Sequence, residues 1–249
     1  MAGFTDIHCH ILPGIDDGPA DVRLSVEMLE IARADGIEKI VASPHILDGV
    51  FDNTKESIAS SIAGFRSHLE AIGSLNGVTL CRGADIRICR DMQQRISNDR
   101  LPLINDKNYI LLELPSFVIP PLGELANLIC GLRMSGITAI ITHPERNIPI
   151  LEDLRILEKF VEWGAISQIT GASITGVFGA RIQKASLKII KKGLAHVVAT
   201  DAHNSKTRPP VLSGPYARVA KKFGQSLAEA LFIVNPSRIV DGCEVDCTA

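Results

Sequence analysis

Hydrophobic and polar residues alternate between two patterns along the whole chain. Short runs rich in Ile, Val and Leu, typical of buried strands, occur at 5–10, 38–43, 78–86, 109–114, 137–143, 165–170 and 195–200. Between these runs, apolar residues recur with helical spacing, and two of the helical segments end on Gly36 and Gly164. This alternation predicts a parallel sheet covered by helices.

The number of β/α units indicates how the sheet is arranged. Seven units without a break in composition favour one domain over residues 1–249, a distorted (β/α)7 barrel of the TIM type. A doubly wound open sheet is the alternative. No Pro-rich linker or low-complexity stretch interrupts the pattern, and we expect the segment 241–249 to be frayed.

Charge and cysteine content narrow the function classes. A net charge of −2 provides no basic field for nucleic acid or an anionic membrane. The first residues lack a signal peptide pattern, and no stretch is long and apolar enough to span a membrane. The six cysteines form no CxxC pairs, which argues against a disulfide framework and a zinc knuckle. We therefore predict a cytoplasmic protein that binds no nucleic acid and does not insert into a membrane, with its oligomeric state left open.

Ionisable side chains collect where the predicted strands end. These residues are His8, His10, Asp17, His45, Asp85, Glu113, His143, Asp201 and His203. Because a barrel brings the carboxyl ends of its strands to one face, we expect these side chains to form one site. Imidazole and carboxylate ligands without thiolates are typical of Mn, Fe or Zn, and several carboxylates are what a polynuclear centre requires. Taken singly, each residue is more often structural, so the prediction rests on their number.

Spacing around the first strand adds detail. His8 and His10 are two residues apart, so their side chains leave the same face of the strand while Cys9 points the other way. In the following segment ILPGIDDGP, we expect Asp17 to reach the site and Asp16 to face solvent or cap the turn.

Two arginines and two phenylalanines lie on loops at the same predicted face. Arg146 and Arg208 follow predicted strands, and a guanidinium matches phosphate oxygens in bidentate geometry. Phe117 and Phe178 lie in apolar loops that follow strands. We expect them to form a wall for an aromatic leaving group, although a loop phenylalanine is more often simple packing.

Several segments together resemble the PHP (polymerase and histidinol phosphatase) superfamily: DIHCHILPGIDDGP, ASPH, GADIRI, YILLELP, ITHPERN, QITGAS and ATDAHN. The resemblance covers residues 5–240 and is closer to the manganese-dependent protein-tyrosine phosphatases of bacterial capsular and exopolysaccharide clusters. It implies the PHP fold, three divalent metals per chain (manganese, or alternatively iron or zinc) and hydrolysis of phosphotyrosine in the tail of a cognate bacterial tyrosine kinase.

The resemblance also implies residue roles. It distributes the ligands over three metals: His8, His10 and Asp201 for the first; Glu113 and His143 for the second; Asp17, His45 and His203 for the third. Asp85 stands where the family usually has a longer glutamate that bridges the first two metals, which puts their spacing in doubt. Arg146 and Arg208 match phosphate-contacting arginines. A metal-bridged hydroxide would attack phosphorus, with His45, His203 or a metal-bound water as the acid.

Three other interpretations differ in chemistry. Cys81 to Arg87 fits the C-x5-R pattern of thiol-based tyrosine phosphatases, but it lies along a predicted strand instead of in a phosphate-binding loop. A histidinol-phosphate or other small-phosphomonoester phosphatase of the same superfamily is the main alternative, and a non-catalytic PHP-like binding module is the third.

Overall fold

A ring of short parallel strands organises the fold. The computed structural model describes residues 3–74, 77–89, 91–98 and 101–245. Its strands are β1 Phe4–Cys9, β2 Ile37–Ala42, β3 His45–Ile46, β4 Thr79–Arg82, β5 Asp85–Arg87, β6 Tyr109–Glu113, β7 Thr138–Thr142, β8 Ile166–Thr170 and β9 Val197–Ala199. Every pairing between these strands is parallel, as predicted.

Helices follow most strands and cover the ring. They are α1 Val22–Ala34, α2 Lys55–Ala71, α3 Met92–Ser97, α4 Leu122–Met134, α5 Ile148–Glu152, α6 Arg155–Glu162, α7 Gly171–Thr175, α8 Ala180–Lys191, α9 Ser213–Phe223, α10 Gln225–Glu229 and α11 Asn235–Asp241. The Asp21 carboxylate caps α1 by accepting from the Leu24 amide. Gly36, with φ +89°, provides the left-handed turn after α1 that its position predicts. Among the described residues, no helix combines the length and apolarity needed to cross a bilayer.

One predicted strand is followed by a second short strand, and another is broken in two. The run 38–43 resumes after Pro44 as β3, and the run 78–86 is interrupted at Gly83. A proline cannot donate to a ladder, and a Cβ on Gly83 would come within 2.5 Å of Val41 Cγ1. The breaks divide the strands into a β1-β2-β4 sheet and a β3-β5-β6-β7-β8-β9 sheet. The order follows the chain without reversal, so the doubly wound alternative is wrong.

The last strand meets the first through two backbone hydrogen bonds. The Asp201 amide donates to His8 O at 2.8 Å, and the His10 amide donates to Ala202 O at 2.9 Å, around a parallel bridge between Cys9 and Ala202. We call this contact the β9–β1 seam. No continuous ladder joins the two strands within the described ranges, so the seam is the extent of closure.

Apolar side chains fill the ring and the layer outside it. On β6, Tyr109 and Leu111 point into the ring while Ile110 and Leu112 pack against the helices, as the two-residue period of a strand requires. The inner cluster also contains Ile7, Val41, Cys81, Ile140, Ile166 and Val197. Cys9 lies in the outer layer, which confirms that it points away from its histidine neighbours.

The chain end closes the bottom of the ring. Val245 is buried in the inner cluster, and the Tyr109 hydroxyl donates to Cys243 O at 2.7 Å. The expectation of a frayed segment is therefore wrong for residues 241–245, because Val245 finds an apolar niche. Residues 246–249, including Cys247, lie outside the described residues.

Candidate metal centre

The structure brings all nine predicted ligands together at one face of the ring. They lie near the end of β1 and in the loop after it (His8, His10, Asp17), at the first residues of the short strands β3 (His45) and β5 (Asp85), at the end of β6 (Glu113), and after β7 (His143) and β9 (Asp201, His203). His8 Nε2 lies 3.1 Å from His10 Nε2 and 3.5 Å from Asp201 Oδ1. Six of the nine residues are buried, whereas His45, His143 and Asp17 are partly exposed.

Three sets of residues share members, and within each set the ligand atoms lie within 4.8 Å of one another. The sets are His8, His10 and Asp201; His10, Asp17, His45 and His203; and His45, Asp85 and Glu113. The first set is the trio that the family resemblance assigns to the first metal. The second contains the trio implied for another, with His10 added. In the third, Glu113 joins His45 and Asp85, and His143 Nε2 lies 3.6 Å from Glu113 Oε1.

Two ligands stand on strained backbone at the ends of strands. His143 follows β7 with φ +34°, and Asp201 follows β9 with φ +52°. A non-glycine residue in the left-handed region costs on the order of 1–3 kcal/mol and persists where the surroundings enforce it. At both positions the turn redirects the chain where a ligand side chain enters the cluster.

Behind the ligands, polar partners fix the orientation of two imidazoles. Gln168 Oε1 lies 3.0 Å from His8 Nδ1, and Asp16 Oδ2 lies 2.7 Å from His10 Nδ1. An amide or carboxylate oxygen only accepts, so each Nδ1 carries a proton and each Nε2 presents its lone pair to the cluster. This arrangement is the one that a metal-binding histidine requires.

Asp16 corrects the expectation drawn from the sequence. Its carboxylate is only 1 % exposed, and besides His10 it accepts from the His45 amide at 3.1 Å. The other oxygen accepts from the Gly18 amide at 2.9 Å, so Asp16 does cap the turn. It does not face solvent. Nothing in the spacing of the DD pair distinguished Asp16 from Asp17, whose Oδ1 lies toward the His45 and His203 rings.

Burial keeps three histidines neutral. It lowers the pKa of His8 to about 4, and it lowers the pKa of His10 and of His143 well below their ordinary value. The neighbouring imidazoles act in the same direction on His10, and the Arg146 guanidinium does so on His143. Neutral imidazole is the form that binds a metal, so these side chains need not lose a proton to do so.

The two central aspartates have opposite environments. Burial raises the pKa of Asp85 well above its ordinary value, and the Glu113 carboxylate adds to this effect. Burial acts the same way on Asp201, but the positive charges of the Arg146 and Arg208 guanidinium groups, chiefly Arg146, outweigh it and hold the Asp201 pKa well below the ordinary value. A cation beside Asp85 would relieve the repulsion between its carboxylate and Glu113.

Unsatisfied polar atoms provide a test of whether cations fit here. His45 Nδ1 and Asp85 Oδ2 are buried without a hydrogen-bond partner and lie 3.4 Å apart. Asp85 Oδ2 also lies 3.6 Å from His8 Nε2 and 3.9 Å from His143 Nε2. The shorter side chain therefore still reaches the middle of the cluster. Buried orphan acceptors among neutral imidazoles and carboxylates fit divalent cations.

An open cavity of about 390 Å³ leads from the surface to the cluster, and both predicted arginines line it. Arg208 Nη2 lies 2.7 Å from Asp201 Oδ2, and Arg146 donates to the same oxygen. Their guanidinium carbons lie 5.1 Å (Arg146) and 6.0 Å (Arg208) from the centre of the Phe178 ring. Phe178 thus packs under the arginines, and it is not the wall for a leaving group that the loop position predicted.

Four further lining residues were not predicted from the sequence: Arg87, Leu47, Phe51 and Ser116. Arg87 donates from Nε to Glu113 Oε2 at 2.9 Å, and Leu47 and Phe51 line the outer part of the cavity. Arg87 was detectable, because it follows Asp85 by two residues on one strand and so shares its face. Leu47 and Phe51 lie in a loop without periodicity. Phe117, predicted as a wall, is 81 % exposed.

The C-x5-R segment has no phosphate-binding geometry. Cys81 is buried in the inner apolar cluster, and burial raises the pKa of its thiol. The β4–β5 break lies between Cys81 and Arg87, and Arg87 is paired with Glu113. A nucleophilic cysteine needs the opposite environment, with positive charge and partial exposure.

A parallel α/β ring with imidazoles and carboxylates gathered at its carboxyl face defines the class of metal-dependent hydrolases. Residues 4–241 match the family model described as capsular polysaccharide synthesis, CpsB/CapC. The chain belongs to the CpsB/CapC family, which confirms the resemblance found in the sequence.

Named relatives and solved structures agree with this assignment. The tyrosine-protein phosphatase YwqE of Bacillus subtilis is 37% identical over 222 residues, which cover 89% of this chain and 86% of YwqE. The tyrosine-protein phosphatase CpsB of Streptococcus pneumoniae is 28% identical over 94% of this chain and 97% of its own. A crystal structure from a study of YwqE and CpsB as unique metal-dependent tyrosine phosphatases matches with a TM-score of 0.91 and 34% identity, covering 97% of this chain and 96% of that chain. A dihydropyrimidinase from Brevibacillus agri (TM-score 0.53, 10% identity) shares the fold alone, with 97% of this chain and 71% of that chain covered.

Proposed function

We propose that this protein is a metal-dependent protein-tyrosine phosphatase that acts on the phosphotyrosine tail of a bacterial tyrosine kinase controlling capsular or exopolysaccharide synthesis. The observation that carries the proposal is the cluster of nine imidazole and carboxylate side chains, six of which line one open cavity together with two arginines. The names of the relatives support the same reaction, and none of them favours histidinol phosphate.

Three divalent cations per chain, with manganese first and iron or zinc as alternatives, are the cofactors we assign. The three overlapping ligand sets support this number, and the absence of a thiolate among them supports a cation that prefers oxygen and nitrogen. Bound there, the cations would supply Lewis-acid chemistry, lowering the pKa of water and offsetting the charge of the phosphate. Asp85 Oδ2 is the group we assign to join two of the sets, because it lies 3.6 Å from His8 Nε2 in the first set and 3.4 Å from His45 Nδ1 in the third.

Arg146 and Arg208 are assigned to hold the phosphate. Both side chains line the cavity and are 21 % and 25 % exposed, so their guanidinium donors can reach a phosphate oxygen. Phe178 beneath them limits their motion. His45 and His203 line the cavity, and we assign one of them to protonate the leaving tyrosinate oxygen.

We place the protein in the cytoplasm. Within the described part of the chain, the cysteines Cys9, Cys81, Cys89, Cys130 and Cys243 are free, which suits a reducing compartment.

The test combines metal removal with substrate comparison. Chelated protein should lose activity and regain it with Mn²⁺, and metal analysis of reloaded protein should give about three ions per chain. Rates on a phosphotyrosine peptide, a phosphoserine peptide and histidinol phosphate are then compared at one metal concentration. Full turnover by metal-free protein, or a higher kcat/KM for histidinol phosphate, would overturn the proposal.

Two variants separate the metal ligands from the phosphate-binding groups. Asp201→Asn should lose metal and activity together. Arg208→Ala should keep its metal but lose roughly 10- to 100-fold in kcat/KM, because a charge-assisted contact contributes about 1.5–3 kcal/mol. Loss of metal from Arg208→Ala would instead show that this arginine is structural.

A further inference from the structure

One side of the cavity differs chemically from the rest of it. Most of the lining consists of the metal-site ligands and the guanidinium groups of Arg87, Arg146 and Arg208. The apolar residues among the lining are Leu47 and Phe51. A substrate made only of a phosphate and a polar chain would gain no favourable contact with these two apolar side chains.

Leu47 and Phe51 are held together as a unit. The Leu47 amide donates to Phe51 O at 3.0 Å, and the Phe51 amide donates back to Leu47 O at 2.8 Å. Residues paired in this way across antiparallel backbone direct their side chains to the same side. The Asn53 amide group donates to His45 O at 2.9 Å and to Ile15 O at 2.8 Å, which fastens the loop to the metal centre.

Phe51 also lies directly beside His45, one of the predicted metal ligands. Its ring is nearly parallel to the imidazole of His45, with an interplanar angle of 11° and centroids 5.8 Å apart. A phosphoryl group at the arginines and ligands carries its ester substituent one oxygen farther out. The ring of a tyrosyl ester would therefore lie beside His45 and Phe51, whereas a seryl ester places only a methylene there.

The other phenylalanines near the site do not have this position. Phe178 is covered by the guanidinium groups of Arg146 and Arg208, and Phe117 is 81 % exposed and does not line the cavity. Phe51 is the aromatic residue that does line it.

We propose that Leu47 and Phe51 form the wall that binds the aromatic ring of the substrate and sets the preference for aryl over alkyl phosphate esters. The inference rests on the proposed phosphatase function and deepens it by naming the residues that select phosphotyrosine. Offset or edge-on contact with the Phe51 ring and burial of the aryl group against Leu47 stabilise an aryl ester in the transition state. An alkyl ester gains neither contact.

The test measures a ratio of specificities in full-length, Mn²⁺-loaded protein. We would determine kcat/KM for phenyl phosphate and for glycerol phosphate with wild type, Phe51→Ala, Leu47→Ala and the matched control Phe117→Ala. In Phe51→Ala the aryl-to-alkyl ratio should fall by about 5- to 30-fold, with a smaller fall in Leu47→Ala. Phe117→Ala should keep the wild-type ratio and rates.

The ratio separates selectivity from damage to the metal site. Because Phe51 packs on His45, Phe51→Ala could also weaken metal binding, but such a loss lowers both rates alike, and metal analysis detects it. Phe51→Leu, which keeps apolar volume without a ring, provides a second variant if Phe51→Ala does not fold. Inhibition constants for phenylphosphonate and methylphosphonate give a binding readout of the same ratio.

The outcomes distinguish failure of the proposed wall from failure of the proposed phosphatase function. A wild type that prefers phenyl phosphate, together with an unchanged ratio in the folded Phe51 variants, would overturn the wall and leave the phosphatase proposal standing. A wild type that does not hydrolyse a phosphotyrosine peptide would overturn the proposed function itself. A reduced ratio in Phe51→Ala, with metal content unchanged, supports the inference.

Discussion

The orienting role of Asp16 gives a prediction about metal affinity. Asp16→Asn should weaken the binding of Mn²⁺ by roughly 10- to 100-fold while leaving the chain folded. In the structure, Asp16 Oδ2 lies 2.7 Å from His10 Nδ1, and both side chains are almost fully buried. Removing the negative charge weakens the hold on the imidazole and makes its Nε2 a poorer ligand.

The geometry around Asp16 sets the size of the effect. Asparagine is nearly isosteric, but its NH2 group would have to face either the proton on His10 Nδ1 or the Gly18 amide, both of which are donors. At least one hydrogen bond is lost whichever way the amide turns: the bond from Gly18 in one orientation, and the bonds from His10 and the His45 amide in the other. A hydrogen bond to a charged group is worth about 1.5–3 kcal/mol, which agrees with a 10- to 100-fold change because each factor of ten corresponds to about 1.4 kcal/mol.

The assay is a competition titration of metal-free protein with Mn²⁺ and a fluorescent chelator, alongside activity as a function of Mn²⁺ concentration. Asp16→Asn should reach half-saturation at higher metal concentration and recover most of its rate at saturation. Asp48→Asn is the matched control, because Asp48 is exposed and pairs with Arg95 instead. Unchanged Mn²⁺ affinity in a folded Asp16→Asn protein would refute the reasoning.

Three further predictions concern residues around and away from the cluster. Phe178→Leu should lower kcat/KM for aryl and alkyl phosphates by one common factor of roughly 5 to 30, because both arginines lose a cation–π contact, while metal content measured by mass spectrometry stays constant. Cys81→Ala should keep most of its activity, and a loss of several orders of magnitude in a folded protein would revive the thiol mechanism. Burial lowers the pKa of His196 to about 4 from an ordinary 6.5. Between about pH 4 and pH 6.5 the unfolded chain therefore binds more protons than the folded chain. The free energy of unfolding should fall by roughly 2 kcal/mol from pH 7 to pH 5. Urea unfolding should show a flatter pH dependence for His196→Asn, whose side-chain oxygen can accept from the Ser167 amide in place of Nδ1.

The parts of the fold that periodicity controls could be predicted from sequence. A strand buried on both faces must be apolar, and a ligand on such a strand must stand at its end, so the strand positions and the nine clustered side chains follow from one pattern. The breaks at Pro44 and Gly83 were not predicted, because they depend on how closely neighbouring strands approach, as the contact between Gly83 and Val41 shows.

Roles decided by contacts between distant loops could not be predicted. Asp16 and Asp17 are adjacent in one turn, and only the position of His45 and its amide gives them different tasks. Phe178 and Phe51 are both loop phenylalanines, but the first meets arginines from two other loops and the second pairs with Leu47. The arginine partners of Phe178 lie far from it in the sequence, and the segment between Leu47 and Phe51 has no periodicity that predicts their pairing.

The β9–β1 seam links the chemistry of the site to the topology of the chain. Its two hydrogen bonds use the backbone of the same residues, His8, His10 and Asp201, whose side chains form one of the ligand sets. A cation held by that set would thus be a cross-link between β1 and β9, and it would close the long loop from His10 to Asp201, where closure costs more entropy than in a short loop. The exchange of the His10 and Asp201 amide hydrogens with solvent would then report cation occupancy directly, and the metal centre would act on folding as a reversible staple.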